Sequence, residues 1–347
     1  MISVYIVDDS RVARDYLRHL LEADPSISVI GEASSGEEAV EFMQANRPDV
    51  ITMDINMPGM DGHEATSMIM GANPVPIVIV SAHYDKSHVE QSFRAIEAGA
   101  IAIVEKPPGP GHPAHKEAVR ELIQTVKLMS EVKVVRRWAR GVQKPSASRA
   151  FRTEKKEVKV VVIGASTGGP PVLQTVLSGF EADFPVPIVV VQHIARGFID
   201  GMVEWLGGVI EMKVSVASDG ERLLPGHIYF APDGFHAGVE PGGTIVLSQS
   251  ELENGIRPSV SYLFRSAARA FGAEVIGVLL TGMGRDGALE LRFIKDRGGV
   301  TIVQDRETAV VYGMPGEAIK MGGASLVLTP EMIPVRIKSL VNGRWPD

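Results

Sequence analysis

Short runs of β-branched and aliphatic residues recur along this chain, separated by stretches whose apolar residues fall at helical spacing. In the first third they lie at residues 4–7, 27–30, 50–53, 77–80 and 100–104; later they lie at 160–163, 187–191, 275–280, 299–303 and 325–328. Runs without polar alternation are what strands buried on both faces require, and strands alternating with amphipathic helices build parallel sheets covered by helices. Val12, Tyr16, Leu17, Leu20 and Leu21 illustrate the intervening pattern, an apolar stripe on one helical face. The expected fold class is therefore α/β throughout: an N-terminal flavodoxin-like domain with a five-stranded parallel sheet, then a doubly wound α/β domain with a mixed, mainly parallel sheet. The mixed character comes from residues 212–217, 227–231 and 244–248, which are short and turn-rich. Pro241-Gly242-Gly243 falls between two strands there, and an antiparallel extension is expected.

At 347 residues the chain is long enough for about two domains. A change of composition marks where they divide. Lys133, Arg136, Arg137, Arg140, Lys144, Arg149, Arg152, Lys155 and Lys156 crowd around Pro145-Ser146-Ala147-Ser148, which breaks any helix. This predicts a first domain over 1–130, a basic linker over 131–157 and a second domain over 158–347. A net charge of -7 argues against nucleic acid as a partner, and the basic run reads as a solvated linker. With no cysteine in the chain, disulfides, thiolate nucleophiles and cysteine-ligated zinc are excluded. The N-terminus runs into an acidic pair without a basic leader, and no apolar run reaches spanning length. A cytoplasmic protein without membrane insertion is expected.

Parallel sheets bind ligands beyond the carboxyl ends of their strands, so the residues there bear on function. In the first domain Asp8 and Asp9 end the first strand, Asp54 the third, Ser81 the fourth and Lys106 the fifth. Carboxylates gathered at one rim repel one another unless a cation sits among them, and oxygen-only ligands suit Mg²⁺. In the second domain the run at 160–163 breaks at Gly164, Gly168 and Gly169 before Pro170 opens a helix, which delivers Ser166 to a sharp turn. Gly164-x-Ser166-x-Gly168 fits the spacing of a nucleophile elbow. The same glycine-rich turn could instead cradle a phosphate, although neither G-x-G-x-x-G nor a Walker lysine is present.

His193 follows one buried run and Asp286 lies in T-G-M-G-R-D-G-A after another. A serine hydroxyl needs a base to attack at neutral pH, and that imidazole needs a buried acceptor to fix its tautomer. Taken together, Ser166, His193 and Asp286 read as nucleophile, base and orienting acid. Their chain order differs from those of the α/β-hydrolases, chymotrypsin and subtilisin.

Two resemblances cover nearly all of the chain outside the linker. V-D-D-S, T-M-D-I-N-M-P-G-M-D-G, V-S-A and E-K-P make the first domain resemble the receiver domain of bacterial response regulators. That likeness implies phosphorylation of Asp54 by a histidine kinase. It further implies Mg²⁺ held by Asp8, Asp9, Asp54 and the carbonyl of Asn56, with phosphoryl contacts from Ser81 and Lys106. Ile103 stands where the family often has an aromatic switch residue. I-G-A-S-T-G-G-P, V-Q-H, A-P-D-G-F-H, R-P-S-V, L-L-T-G-M-G-R-D-G-A and V-Y-G-M-P make the second domain similar to the chemotaxis protein-glutamate methylesterases, the CheB family. The implied substrate is a γ-glutamyl methyl ester on the cytoplasmic helices of a chemoreceptor, with glutamine deamidation as a second activity. Met283, by resemblance, and Thr167, by turn geometry, are the expected oxyanion-hole residues. Arg257 and Met283 are expected substrate contacts, and His236 is expected to be a wall residue. A receiver ahead of an esterase also suggests a lid released by phosphorylation. The alternative is a non-enzymatic two-component protein with a nucleotide-binding or docking output domain.

Overall fold

The computed structural model describes residues 1–81, 86–132 and 157–343. The chain divides into two compact units, Met1–Gly141 and Val142–Asp347, so the division falls inside the segment expected to be a linker. The basic residues from Lys133 to Lys156 lie outside the described residues, as does Ala82 of the V-S-A motif.

In the first unit the elements run β1 (Ile2–Val7), α1 (Arg11–Glu22), β2 (Ile27–Ala33), α2 (Gly36–Ala45), β3 (Val50–Met53), α3 (Gly62–Ala72), β4 (Ile77–Ser81), α4 (Lys86–Ala98), β5 (Ala102–Glu105) and α5 (His115–Ser130). All four strand pairings are parallel and the order is β2-β1-β3-β4-β5, the flavodoxin-like arrangement expected. Its central strands are buried from end to end, which explains their unbroken apolar runs. The α1 stripe is narrower than its spacing suggested: Leu17, Leu20 and Leu21 are buried, whereas Val12 is exposed in the first turn. Side chains of Ser10, Ser35 and Asp61 accept the first free N–H groups of α1, α2 and α3, which sets where those helices begin.

The second unit comprises β6 (Val160–Ala165), α6 (Gly169–Leu177), β7 (Ile188–Gln192), α7 (Ile199–Gly207), β8 (Lys213–Val216), β9 (His227–Phe230), β10 (His236–Glu240), β11 (Thr244–Ser248), α8 (Val260–Phe271), β12 (Val275–Leu279), α9 (Ala288–Asp296), β13 (Val300–Gln304), α10 (Met314–Lys320), β14 (Leu326–Leu328) and α11 (Met332–Val341). Seven strands form one sheet in the order β14-β13-β12-β6-β7-β9-β8. The chain moves outward from β6 in one direction through β7 and in the other through β12, so β6 stands at the switch point.

The expected antiparallel extension is realised differently. Every pairing in the seven-stranded sheet is parallel, including β8 with β9. The antiparallel component is a separate ribbon of β10 and β11. Its tight turn at Gly242 and Gly243, with φ of 100° and 81°, reverses the chain at once, while the longer loop between β8 and β9 returns it to run in the same sense. β10 was not among the expected strands because Gly238 interrupts its pattern. A Cβ there would come within 2.9 Å of Tyr262, so the glycine lets α8 pack on the ribbon.

Packing is equally close where β6 ends. A Cβ built on Gly164 would meet Val260 Cγ1 at 2.3 Å, and one on Gly287 would meet the same atom at 2.4 Å. Gly164→Ala should therefore destabilise the second unit by about 1–3 kcal/mol through overpacking. A thermal scan should register this as a fall of roughly 2–10 °C in its midpoint.

Candidate functional site

Three adjacent strands bring together the residues expected to act in the second unit. Ala165 of β6 pairs with Gln192 of β7, and Leu279 of β12 pairs with Gly164 on the other side. Ser166, His193 and the 281–288 loop thus leave neighbouring strands at the same carboxyl edge. Backbone bonds continue a step past the strands: His193 N–H donates to Ala165 O at 2.9 Å and Ser166 N–H to Thr281 O at 3.0 Å. The turn then tightens as Gly169 N–H donates to Ser166 O at 2.7 Å, with Gly168 at φ 75°. This is the left-handed conformation that favours glycine. Ser166 is nearly buried, with 9 % of its surface exposed.

Asp286 does not cap the helix that follows it. Its carboxylate faces the N-terminus of α8. Val260 N–H donates to Oδ2 at 2.6 Å, and Ser261 N–H to Oδ1 at 3.2 Å. Ser259 Oγ and Asn254 Nδ2 each donate to Oδ1 at 2.8 Å. His193 Nε2 lies 3.1 Å from Oδ2. Burial alone would raise the pKa of this carboxyl, but His193 and the two serines hold it well below the usual carboxylate range. An aspartate gripped by backbone N–H groups and hydroxyls stays ionised and stationary, which is what an imidazole needs from its acceptor. With Nε2 committed to Asp286, Nδ1 is the nitrogen left for the serine. The Ser166 hydroxyl is not hydrogen-bonded to the imidazole in this structure; such contacts commonly tighten only with substrate bound.

Gly282 lies against Ser166: a Cβ on it would come within 2.6 Å of Ser166 Cβ and 2.4 Å of Met314 Sδ. The glycine therefore lets the 281–288 loop approach the serine, and Met283 follows it with 41 % of its surface exposed. Gly282 O accepts from Gly313 N–H at 3.1 Å and Met314 N–H at 2.9 Å. Because carbonyl and following N–H point opposite ways in a trans peptide, the Met283 N–H is turned away from that anchored side. Arg257 is tied down: its Nη1 donates to Gln249 O and Ser250 O, both at 2.7 Å, so the guanidinium braces its own loop. His236 is buried in β10, stacked on Tyr262 with centroids 4.8 Å apart, and its Nε2 lies 3.0 Å from Glu251 O. Asn254, Ser259 and Ser261 were not among the expected site residues; only R-P-S-V, which contains Ser259, hinted at them.

At the rim of the first unit, carboxylate oxygens of Asp8, Asp9 and Asp54 lie within 4.8 Å of one another. Lys106 Nζ donates to Asp8 at 2.7 Å and to Asp54 at 3.0 Å. The pKa of Asp54 is raised, chiefly by burial and also by the Asp8 carboxylate, against the lowering effect of Lys106. Burial also works against the Lys106 ammonium, yet the Asp54 and Asp8 carboxylates raise its pKa. One ammonium among three carboxylates leaves negative charge uncompensated, and hard oxygen donors suit a divalent cation such as Mg²⁺. Lys106 N–H donates to Ser81 O at 2.9 Å, which joins the ends of β4 and β5 beside this rim. Asn56 is exposed in the loop after β3, and Gly62 allows α3 to approach that loop: a Cβ there would lie 2.1 Å from Asp54 O. Past Lys106, Tyr16 Oη donates to Pro108 O at 2.8 Å and anchors the proline-rich segment to α1. Ile103 is half-buried.

Comparison with known proteins assigns a family to each unit. Residues 4–126 match the model for the response regulator receiver domain, and residues 161–337 match that for CheB methylesterase. The chain is 52% identical over 98% of its length to a Geobacter metallireducens protein, 99% of which is covered, named protein-glutamate methylesterase/protein-glutamine glutaminase 4. A Syntrophus aciditrophicus protein named protein-glutamate methylesterase/protein-glutamine glutaminase 1 is 54% identical over 96% of each chain. The crystal structure of the Thermotoga maritima CheB methylesterase catalytic domain superposes over its whole length and 53% of this chain, with TM-score 0.52 and 40% identity. The chain belongs to the CheB methylesterase family, with a response regulator receiver domain ahead of the esterase region.

Proposed function

We propose that this chain hydrolyses γ-glutamyl methyl esters on chemoreceptor cytoplasmic helices, releasing methanol, and deamidates glutamines there by the same route. The observation that supports this above all is the His193–Asp286 pair at the strand edge that also bears Ser166. Ser166 Oγ attacks the ester carbonyl carbon while His193 takes its proton. The resulting oxyanion is held by the N–H groups of Thr167 and Met283, which face developing charge in a partly dry site. The carbon–oxygen bond to the methoxy group breaks as the imidazolium returns the proton, and methanol leaves. Water, deprotonated by His193, then cleaves the acyl-serine and frees the carboxylate. With glutamine the leaving group is ammonia. The exposed Met283 side chain contacts the substrate helix; Arg257, held to two carbonyls, shapes the neighbouring loop.

Asp54 accepts the phosphoryl group from a histidine kinase and thereby controls the esterase. Asp8, Asp9, Asp54 and the Asn56 carbonyl would hold Mg²⁺, which when bound supplies positive charge against the phosphoryl oxygens. Lys106, just past β5, and Ser81, the last residue of β4, contact those oxygens. Among the described residues no helix is long and apolar enough to cross a membrane, and a cytoplasmic location follows from a substrate on cytoplasmic helices.

The test is methanol release from methylated receptor membranes, with and without acetyl phosphate. The donor should raise the rate in Mg²⁺. EDTA should remove that increment and leave the basal rate within about twofold, because metal chemistry belongs to the receiver alone. Loss of the basal rate in EDTA would overturn the serine mechanism. No methanol under any condition would favour the non-enzymatic alternative.

A further inference from the structure

Gln192, the last residue of β7, stands between nucleophile and base and has neither role. Only 3 % of it is exposed. Its Nε2 donates to Ser166 O at 2.9 Å and to His193 O at 2.6 Å. The opposite orientation of the amide would set its oxygen against two carbonyl oxygens, so the donors face this way. On the other side its Oε1 is buried and has no hydrogen-bond partner. That oxygen fills the space where a Cβ of Gly169 would come within 2.0 Å of it. A glycine at the start of α6 thus makes room for an amide that binds two carbonyls.

Those two carbonyls belong to the residues whose separation matters for the reaction. Strand pairing between β6 and β7 ends at Ala165 and Gln192, and His193 N–H to Ala165 O is the last backbone bond between the two segments before they part. Beyond it, the Gln192 amide links the turn bearing the serine to the loop bearing the imidazole. It also fixes a direction. Ser166 O is held from one side by Gly169 N–H and Gln192 Nε2, so the N–H of Thr167, in the same trans peptide, points the other way. Thr167 N–H has no backbone acceptor among the described residues, which leaves it available to an oxyanion. Thr281 acts alongside: its Oγ1 donates to Thr167 O at 3.0 Å and steadies the next peptide of the turn.

We infer that Gln192 is a positioning residue of the esterase: its side-chain amide sets the spacing of Ser166 and His193 and aims the Thr167 N–H at the developing oxyanion. The inference rests on the serine-esterase reading above. It predicts a loss in kcat and not in substrate affinity, since Gln192 is buried and its side-chain hydrogen bonds go to backbone carbonyls.

The experiment uses the full chain with methylated receptor membranes and compares wild type, Ser166→Ala, Gln192→Met and Gly169→Ala. Gln192→Met keeps size and removes both donors; Gly169→Ala pushes the amide away from the helix side and leaves the glutamine in place. Each should lower kcat by about 10- to 100-fold, up to the effect of losing one oxyanion donor, with KM within about twofold. If Gln192→Met does not fold, Gly169→Ala decides alone. Ser166→Ala inactive with kcat of the folded Gln192→Met, or of Gly169→Ala in its place, within twofold of wild type would overturn the positioning role and spare the esterase. A rise in KM at unchanged kcat would overturn it as well. Activity surviving in Ser166→Ala would remove the esterase reading first, and the role of Gln192 with it.

Discussion

Ser166→Ala should abolish methanol release, lowering kcat by about four to six orders of magnitude, as expected when a nucleophile acting with a base and an acid is removed. The fold should be untouched. The bonds that hold this turn run through the backbone of residue 166: its N–H to Thr281 O, and its O from Gly169 N–H and Gln192 Nε2. Alanine keeps all of them and keeps the Cβ beside Gly282. The thermal midpoint should therefore stay within about 1–2 °C of wild type, as for a substitution that creates no cavity and strands no partner. Phosphorylation of Asp54 should proceed at the wild-type rate, because the receiver's carboxylates and Lys106 belong to the other unit. Methanol release from a folded, phosphorylated Ser166→Ala protein would exclude a serine nucleophile.

Much of this is legible in the sequence, for a physical reason. Parallel strands buried on both faces must be continuous apolar runs, so β3, β4, β6, β7 and β12 announce themselves, and whatever polar residue ends such a run lies at the ligand edge. Asp54, Ser81, Lys106, Ser166 and His193 were singled out in that way, and they lie at the carboxyl edges of their sheets. The residues that steady Asp286 were not. Asn254 and Ser261 come from an irregular loop and a helix start with no periodic signature, and their role depends on α8 arriving with its N-terminus against residue 286. Gln192 was visible within V-Q-H, yet nothing in a sequence tells a buried polar strand-end residue that bonds two carbonyls from one that faces a ligand. The direction of β8 relative to β9 was equally hidden, since short strands look the same in either sense. Arg257 was expected as a substrate contact; that its Nη1 is anchored on Gln249 O and Ser250 O depends on the course of its loop, which no sequence pattern reveals.

Asp286→Asn is the second large effect, and it separates the two things this carboxylate does. As the acceptor for His193 it fixes the imidazole with Nε2 protonated and steadies the imidazolium; an asparagine can turn its Nδ2 toward the ring and select the wrong tautomer, for which a loss of about 10⁴ in kcat is expected. As the acceptor at the N-terminus of α8 it takes bonds from Val260 N–H, Ser261 N–H, Ser259 Oγ and Asn254 Nδ2. An amide there must aim its own N–H groups at donors and leave at least one unpaired, which should destabilise the unit by on the order of 3 kcal/mol. The pH dependence follows from the sign of the shift. Asp286 has its pKa depressed by folding, so its charge contributes stability in full above the ordinary carboxylate value of about 3.9 and loses that contribution as pH falls below it. Asparagine does not titrate. The stability gap between wild type and Asp286→Asn should thus narrow as the pH drops from about 5 to below about 4. Denaturant melts across that range would check this; a gap that stayed constant down to about pH 2 would mean that the carboxylate at the head of α8 is not held ionised by its partners.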